Sequence, residues 1–158
     1  MILCLKVLGI LSILMIVCLA IILVISYFEN RKLTVSTYHI ESANCPSEFE
    51  GYKIAHLSDL HNANFGPHNE TLFQVIKSQN PDIIVITGDM IIGKPNSDIE
   101  MAVDFVNRLC EIAKVYYSMG NHELRVSLYE ETYGDMWERY ESALKELGVK
   151  LLVNEKVE

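Results

Sequence analysis

The chain has 158 residues, enough for about one domain and an extension, and its 21 acidic and 13 basic side chains give a formal net charge of −8 at pH 7. Because an acidic chain without a basic stripe repels a phosphate backbone, this composition disfavours a nucleic-acid partner. Its 4 cysteines lack the C-x-x-C spacing of a zinc knuckle and do not form the pattern of a disulfide framework.

An uncharged apolar segment runs from Val7 to Phe28. About 20 apolar residues cross a bilayer as a helix, whereas the apolar part of a signal peptide has about 7–15 residues and precedes a small-x-small cleavage site. The residues after this segment offer no such site. We therefore predict that residues 1–28 are a transmembrane anchor, with residues 7–28 in the lipid bilayer as a single pass through the cell membrane. Basic residues flank the segment on both sides, so the side of the membrane that holds the rest of the chain stays open.

After the anchor, residues 29–50 are predicted to be a linker with an edge strand at 33–40, where apolar residues alternate with polar ones. Residues 51–158 then alternate between strand and helix patterns. The predicted strands cover residues 52–58, 83–87, 115–119 and 149–153, and the predicted helices cover 69–79, 99–113 and 135–147. The β-branched run at 83–87 is typical of a strand buried on both faces of a parallel sheet. This order predicts an α/β fold with right-handed crossovers.

Three of these helix boundaries carry sequence signals. Ser97 and Glu100 have the spacing of a capping box, which predicts the start of the second helix. Asn80 precedes a proline, which disfavours helical geometry and ends the first helix. Gly148 stands where a glycine cap would end the third helix.

Polar blocks follow three of the predicted strands. These blocks are Asp59-Leu60-His61, Gly88-Asp89 and Gly120-Asn121-His122-Glu123. The carboxyl ends of parallel strands meet at one edge of a sheet, where such folds bind ligands. Aspartate, histidine and asparagine are ligands for divalent metals. Gly, Asn and Asp also serve as turn residues, but turn chemistry alone would not require both histidines.

The three blocks, with their neighbours, resemble the first three motifs of the calcineurin-like metallophosphoesterases in residue and order. The matching segments are Ser58-Asp59-Leu60-His61, Thr87-Gly88-Asp89-Met90 and Gly120-Asn121-His122-Glu123. The resemblance covers roughly residues 33–158. It implies that residues 51–158 are the N-terminal portion of a phosphoesterase domain: α/β, a partial β-sandwich flanked by helices, preceded by one transmembrane helix. The anchor is similar to that of membrane-associated bacterial members.

The resemblance also implies a site for two divalent metal ions, such as Mn, Fe or Zn. Asp59 and His61 would bind the first ion, Asp89 would bridge both ions, and Asn121 would bind the second. His122 would not be a ligand, but would stabilise the transition state or protonate the leaving oxygen. The implied reaction is hydrolysis of phosphate mono- or diester or pyrophosphate bonds by a metal-bridging hydroxide.

One part of the family pattern is missing from the chain. The family completes its site with three further histidines, and no histidine follows His122. We therefore expect an incomplete N-terminal fragment of a phosphoesterase, with one sheet face left uncovered at a cost in apolar burial. The alternative is a catalytically inactive, membrane-tethered remnant. The substrate would be a phosphoester, either lipid-linked or water-soluble. The family position of Glu123 is often acidic but seldom a direct ligand.

Overall fold

The computed structural model describes residues 2–29 and 32–157, and the chain divides into two compact units, Met1–Thr37 and Tyr38–Glu158. The first unit contains helix α1, Ile2–Glu29. Its segment Gly9–Tyr27 has a mean hydropathy of 3.0, and among the described residues it is the one helix long and apolar enough to cross a membrane. A signal sequence would meet the same criterion, so the anchor stays a prediction.

The edge strand predicted at residues 33–40 is wrong. The described backbone from residue 32 to residue 40 pairs with no strand. Tyr38 and Ile40, two of the apolar residues in the alternating pattern, are almost fully exposed. Alternation favours a strand only where a partner strand is available, and no strand within the described residues pairs with this segment.

The second unit contains a sheet of four parallel strands in chain order, within the described residues. The strands are β1 (Ile54–Leu57), β2 (Ile83–Ile86), β3 (Lys114–Tyr117) and β4 (Lys150–Leu151). All four lie inside or within one residue of the strands predicted from sequence. Since all strands are parallel, their carboxyl ends share one edge of the sheet, which confirms the predicted α/β class.

Helices make every connection between the strands. α2 (Glu70–Gln79) joins β1 to β2, and α3 (Glu100–Cys110) joins β2 to β3. Between β3 and β4, where one helix was predicted, the chain forms α4 (Asn121–Leu128), α5 (Glu130–Tyr133) and α6 (Met136–Glu146). α4 and α5 are too short to show a sustained apolar stripe, so only α6 was predicted.

The helices cover one face of the sheet. α3 contacts β3, and α6 contacts both β4 and α3. Along β2, Ile84 and Ile86 are fully buried, while Ile83 and Val85 are only half-buried. In this chain the strand is therefore fully buried on one face and half-buried on the other. On the second face, Ile54 of β1 is largely exposed, which matches the uncovered sheet face expected from the sequence.

The capping box predicted at the start of α3 does not form. The hydroxyl of Ser97 donates to the carbonyl of Ile92 at 2.9 Å. The backbone N–H of Glu100 instead donates to the side chain of Asp98 at 2.7 Å. Asp98 therefore provides the hydrogen bond that was expected from Ser97. This arrangement is an Asx-type turn at the helix start.

The glycine cap predicted at the end of α6 is confirmed. Gly148 has a φ of +76°. Its N–H donates to the carbonyl of Lys145 at 3.0 Å, and the N–H of Val149 donates to the carbonyl of Leu144 at 3.1 Å. These two bonds are the pair that defines a Schellman motif. They turn the chain from α6 into β4.

The loops after β2 and β3 meet backbone to backbone. A Cβ atom on Gly88 would lie 1.9 Å from the nitrogen of Gly120, and a Cβ on Gly120 would lie 2.2 Å from Oδ1 of Asp89. Gly88 also has a φ of +95°, which disfavours any side chain. Both motif glycines are therefore required by this contact, which brings the second polar block against the third.

Replacing Gly88 by alanine should destabilise the protein far more than replacing Gly148. Gly148 also has a positive φ, but a Cβ there would have no atom within 4 Å, so Gly148→Ala costs only backbone strain of about 1–2 kcal/mol. Gly88→Ala adds a collision with backbone and should reach about 4 kcal/mol or more. Urea unfolding of both variants in detergent micelles measures the difference. Equal losses would contradict the close approach of the two loops.

Candidate metal centre

The loop after β1 runs alongside the loop after β2. The N–H of Asp59 donates to the carbonyl of Gly88 at 3.1 Å, and the N–H of His61 donates to the carbonyl of Asp89 at 2.8 Å. With the contact of Gly88 and Gly120, these bonds join the three polar blocks at the carboxyl edge of the sheet. The sequence prediction that the blocks share one edge is met by this arrangement.

Three of the predicted ligand residues have left-handed backbones. The φ angles are +57° for Asp59, +47° for His61 and +55° for Asp89. Such conformations cost about 1–3 kcal/mol for residues other than glycine, although Asp, Asn and His tolerate them best. They persist here because hydrogen bonds between the loops fix the backbone. Strain concentrated in this way is typical of functional sites.

The side chains of these residues converge. Nε2 of His61 lies 3.6 Å from Oδ1 of Asp59 and 4.0 Å from Oδ2 of Asp89. Two ligands at about 2.0–2.2 Å from the same ion lie about 3–4 Å apart, so these distances and donor types fit a divalent metal. His61, Asp89 and His122 each also offer one potential ligand atom within 4.8 Å of the others.

The cluster is open on one side and closed on the other. The side chain of Asp59 is 67% exposed, that of His61 is 37% exposed and that of Asp89 is 9% exposed. Asn121, the first residue of α4, is also exposed. A substrate could therefore reach the cluster past Asp59 and Asn121, while Asp89 forms its floor.

Asp89 supplies the N-terminal cap of α4 from a different loop. The N-cap residue, Gly120, has no side chain, and the N–H of His122 donates to Oδ1 of Asp89 at 2.8 Å. The carboxylate thus lies where a capping side chain would lie and faces the positive end of the helix dipole. This use of Oδ1 leaves Oδ2 as the oxygen that faces His61.

His122 has a defined tautomer. The N–H of Gly93 donates to Nδ1 of His122 at 2.7 Å, and the hydroxyl of Tyr133 donates to the carbonyl of Gly93 at 3.2 Å. Because Nδ1 accepts a hydrogen bond, the neutral ring carries its proton on Nε2. A protonated Nε2 can donate to an oxygen but has no lone pair for a metal. The proximity of His122 to His61 and Asp89 therefore does not make it a ligand by itself.

Glu123, the last residue of the third block, is completely buried. Its carboxylate accepts hydrogen bonds from the N–H groups of Asp89 at 2.7 Å, Met90 at 2.9 Å and Gly120 at 3.1 Å. Tyr117 donates its hydroxyl to the same carboxylate at 2.7 Å. Sequence reasoning missed this role. The available signal was the position of Glu123 three residues after the N-cap, but that signal depends on Ser or Thr at the cap and Gly120 is neither.

Burial holds Tyr117 in its protonated form. Desolvation raises the pKa of its phenol far above the ordinary value, and the adjacent Tyr140 and the Glu123 charge raise it further. Desolvation also raises the pKa of Tyr140, whose hydroxyl lies 3.3 Å from that of Tyr117. Tyr117 therefore remains a hydrogen-bond donor to Glu123 throughout the neutral and mildly alkaline range.

The metal-ligand roles of Asp59, His61, Asp89 and Asn121, and the proton-donor role of His122, stay predictions. The structure brings the side chains of Asp59, His61 and Asp89 together at distances that fit an ion. It places Asn121 and His122 side by side at the start of α4, on the same edge of the sheet.

The tautomer of His122 can be read by long-range ¹H–¹⁵N NMR on histidine-labelled protein without metal. We expect His122 to show the Nε2–H pattern, because Gly93 donates to its Nδ1. His122→Ala identifies the signal by its loss, and the exposed His68 serves as an internal reference. A neutral His122 with its proton on Nδ1 would contradict the assigned hydrogen bond.

Comparison with known proteins identifies one family. The family model for calcineurin-like phosphoesterases matches residues 52–158. The chain is 32% identical over 132 residues to a Bacillus subtilis protein described as the uncharacterized metallophosphoesterase YkoQ, covering 82% of this chain and 46% of that protein. It is 28% identical over 138 residues to an uncharacterized metallophosphoesterase of Aquifex aeolicus, covering 84% of this chain and 48% of that protein.

A third relative, the uncharacterized metallophosphoesterase Cj0846 of Campylobacter jejuni, is 25% identical over 142 residues, covering 89% of this chain and 35% of that protein. The chain thus spans less than half the length of each of these relatives. No solved structure matches the chain.

Proposed function

The chain belongs to the calcineurin-like phosphoesterase family, and from this membership we propose that it provides the first metal-binding half of a membrane-anchored phosphoester hydrolase. Membership implies metal-dependent hydrolysis of phosphoesters. The observation that supports the proposal most strongly is the position of His61 Nε2, 3.6 Å from a carboxylate oxygen of Asp59 and 4.0 Å from one of Asp89. That cluster lies beside a histidine whose Nε2 carries a proton.

Four residues are proposed to hold the metal ions. Asp59 and His61 would hold the first ion, Asp89 would bridge the pair, and Asn121 would hold the second. When bound, the two cations would acidify a shared water and neutralise the phosphoryl oxygens. Oδ2 of Asp89 suits the bridging role, because its partner oxygen is committed to the N–H of His122.

His122 is proposed to donate a hydrogen bond from Nε2 to the leaving oxygen and so to stabilise the transition state. Gly93 keeps Nδ1 occupied, so the only N–H of the neutral ring lies on Nε2. Tyr133 in turn fixes the carbonyl of Gly93. Transfer of this proton would leave an imidazolate anion, so His122 would stabilise charge on the leaving oxygen by a hydrogen bond from Nε2. A positioned donor of this kind is worth about 10²–10³-fold in rate. The neighbouring Asn121 would place the substrate phosphate within reach of this proton.

Membrane attachment is proposed from the apolar segment of α1. A single pass through residues 7–28 would tether the chain to a bilayer, which favours a lipid-linked phosphoester over a water-soluble one. Because the chain spans less than half of its relatives, we propose that the family's three further histidines lie in the rest of a longer protein. A remnant without catalytic activity is the alternative.

Asp89→Asn and His122→Ala should separate metal binding from hydrogen-bond donation by His122. Asp89→Asn removes the anionic bridge and should weaken Mn²⁺ binding by at least about tenfold, or about 1.4 kcal/mol. His122→Ala should keep the Mn²⁺ affinity. Calorimetric titration with Mn²⁺ in detergent micelles measures the affinities of both variants. Glu111→Gln, at an exposed position, is the control variant.

The same variants test turnover. In a longer protein that includes the remaining histidines, both should lose hydrolysis of bis(p-nitrophenyl) phosphate, and EDTA should abolish the wild-type rate. The 158-residue chain should show little turnover. Loss of Mn²⁺ affinity in His122→Ala would make His122 a ligand. Unchanged affinity in Asp89→Asn would refute the metal site. A longer protein with no activity on soluble or lipid-linked phosphoesters would favour the remnant.

The anchor can be tested by replacing Leu14 and Val17 with arginine. Each arginine at the centre of a transmembrane helix costs about 2.5–3.5 kcal/mol, so the double variant should be released from membranes by alkaline carbonate while the wild type is retained. Ile13→Leu is the control and should behave as wild type. Release of the wild type, or an intact mass that lacks the N-terminal segment, would show that α1 is not an anchor.

A further inference from the structure

Glu123 joins the loop after β2 to the loop after β3. Its Oε2 accepts the N–H of Asp89 at 2.7 Å and the N–H of Gly120 at 3.1 Å, one from each loop. Its Oε1 accepts the N–H of Met90 at 2.9 Å and the hydroxyl of Tyr117 at 2.7 Å. Both oxygens are therefore surrounded by donors in a site without solvent, and a single carboxylate oxygen bonds both loops.

Hydrogen bonds hold every polar atom of Asp89 except Oδ2. Its N–H is bound by Glu123, its carbonyl accepts the N–H of His61, and its Oδ1 accepts the N–H of His122. Its backbone is left-handed, with a φ of +55°. Since that conformation needs support from the surroundings, loss of the bond to Glu123 should let the residue relax and move Oδ2 relative to His61.

We propose that Glu123 is a positioning residue that sets the metal affinity of the site through the backbone of Asp89. The proposal rests on the proposed function, because it assumes that Asp89 is a metal ligand. Glu123 itself touches neither metal nor substrate in this account. Its effect is transmitted by the turn that begins at Asp89 and by the start of α4.

Glutamine is the informative replacement. It has nearly the same shape as glutamate, but one of its two oxygens becomes an NH₂ group that can only donate. Whichever way the amide is oriented, it presents this NH₂ to backbone N–H groups, and at least one of the bonds to Asp89 or Met90 is lost. Unpaired donors in a buried site destabilise it. Glu123→Gln therefore changes hydrogen bonding while leaving packing almost unchanged.

Tyr117→Phe is the matched control. It also removes a buried hydrogen bond to Glu123, but it leaves the bonds from Asp89, Met90 and Gly120 in place. If Glu123 served stability alone, the two variants would affect the metal site in proportion to their loss of unfolding free energy. If Glu123 positions Asp89, Glu123→Gln should affect the site much more than Tyr117→Phe does.

The experiment has a metal-free readout and a metal readout. Without metal, hydrogen exchange reports on the His61 amide, which bonds to Asp89 and is remote from Glu123 in sequence. We expect exchange at His61 to be at least about tenfold faster in Glu123→Gln and nearly unchanged in Tyr117→Phe. With Mn²⁺ alone as the probe, affinity should fall about 10–100-fold in Glu123→Gln, as for other residues that orient ligands.

The outcomes separate the two hypotheses. Suppose that exchange at His61 is faster in Glu123→Gln but that the wild type binds no Mn²⁺. This result would refute the proposed function and would still support the positioning of Asp89 by Glu123. Normal exchange and normal Mn²⁺ affinity in a folded Glu123→Gln would overturn the inference. Equal effects of Glu123→Gln and Tyr117→Phe, after correction for stability, would also overturn it.

A second variant covers the case in which Glu123→Gln does not fold. Glu123→Asp keeps two acceptor oxygens on a side chain that is one methylene shorter, so it can bond only part of the network. Its Mn²⁺ affinity should be lower than that of the wild type and of Tyr117→Phe, but should not be lost completely. Its exchange at His61 should be faster than in those two proteins. Wild-type values in both readouts would overturn the inference. The exposed Glu130→Gln provides the surface control and should match the wild type.

Discussion

Gly88 and Gly120 approach so closely that a side chain on either would overlap the other loop. This contact is the constraint on which the site depends, because the two loops lie far apart in sequence and each carries part of the polar cluster. Glycine permits the approach, and the carboxylate of Glu123 bonds both loops once they are there. Without the contact between Gly88 and Gly120, Asp89 and His122 would lie at the ends of two neighbouring strands and would not share one cleft.

Asp89 connects stability with the proposed chemistry. One carboxylate oxygen caps α4 and contributes to folding, while the other faces His61. Its left-handed backbone costs free energy that the hydrogen bonds around it offset. A side chain held in this way would lose little conformational freedom on binding a cation. The same bonds mean that substitutions at Asp89 will affect both α4 and the site.

The alternation of strand and helix, and the gathering of polar blocks at one sheet edge, could be predicted because both follow from local patterns and from the geometry of parallel strands. The strand at 33–40 could not be excluded from sequence, since tertiary structure decides whether a segment pairs with another strand. The role of Glu123 was hidden because most of its partners are backbone N–H groups, which leave no trace in a sequence. The same holds for His122, whose tautomer depends on the backbone of Gly93 and on Tyr133 in the unpredicted α5.

We propose that the ends of β1, β2 and β3 together form a shared site for divalent metal ions. Anomalous diffraction from crystals grown with Mn²⁺ tests it most directly. We expect a peak about 2.0–2.3 Å from Nε2 of His61 and from carboxylate oxygens of Asp59 and Asp89, with Nε2 of His122 outside bonding distance. A cleft without a peak at saturating Mn²⁺, or a peak bound elsewhere with these side chains apart, would contradict it.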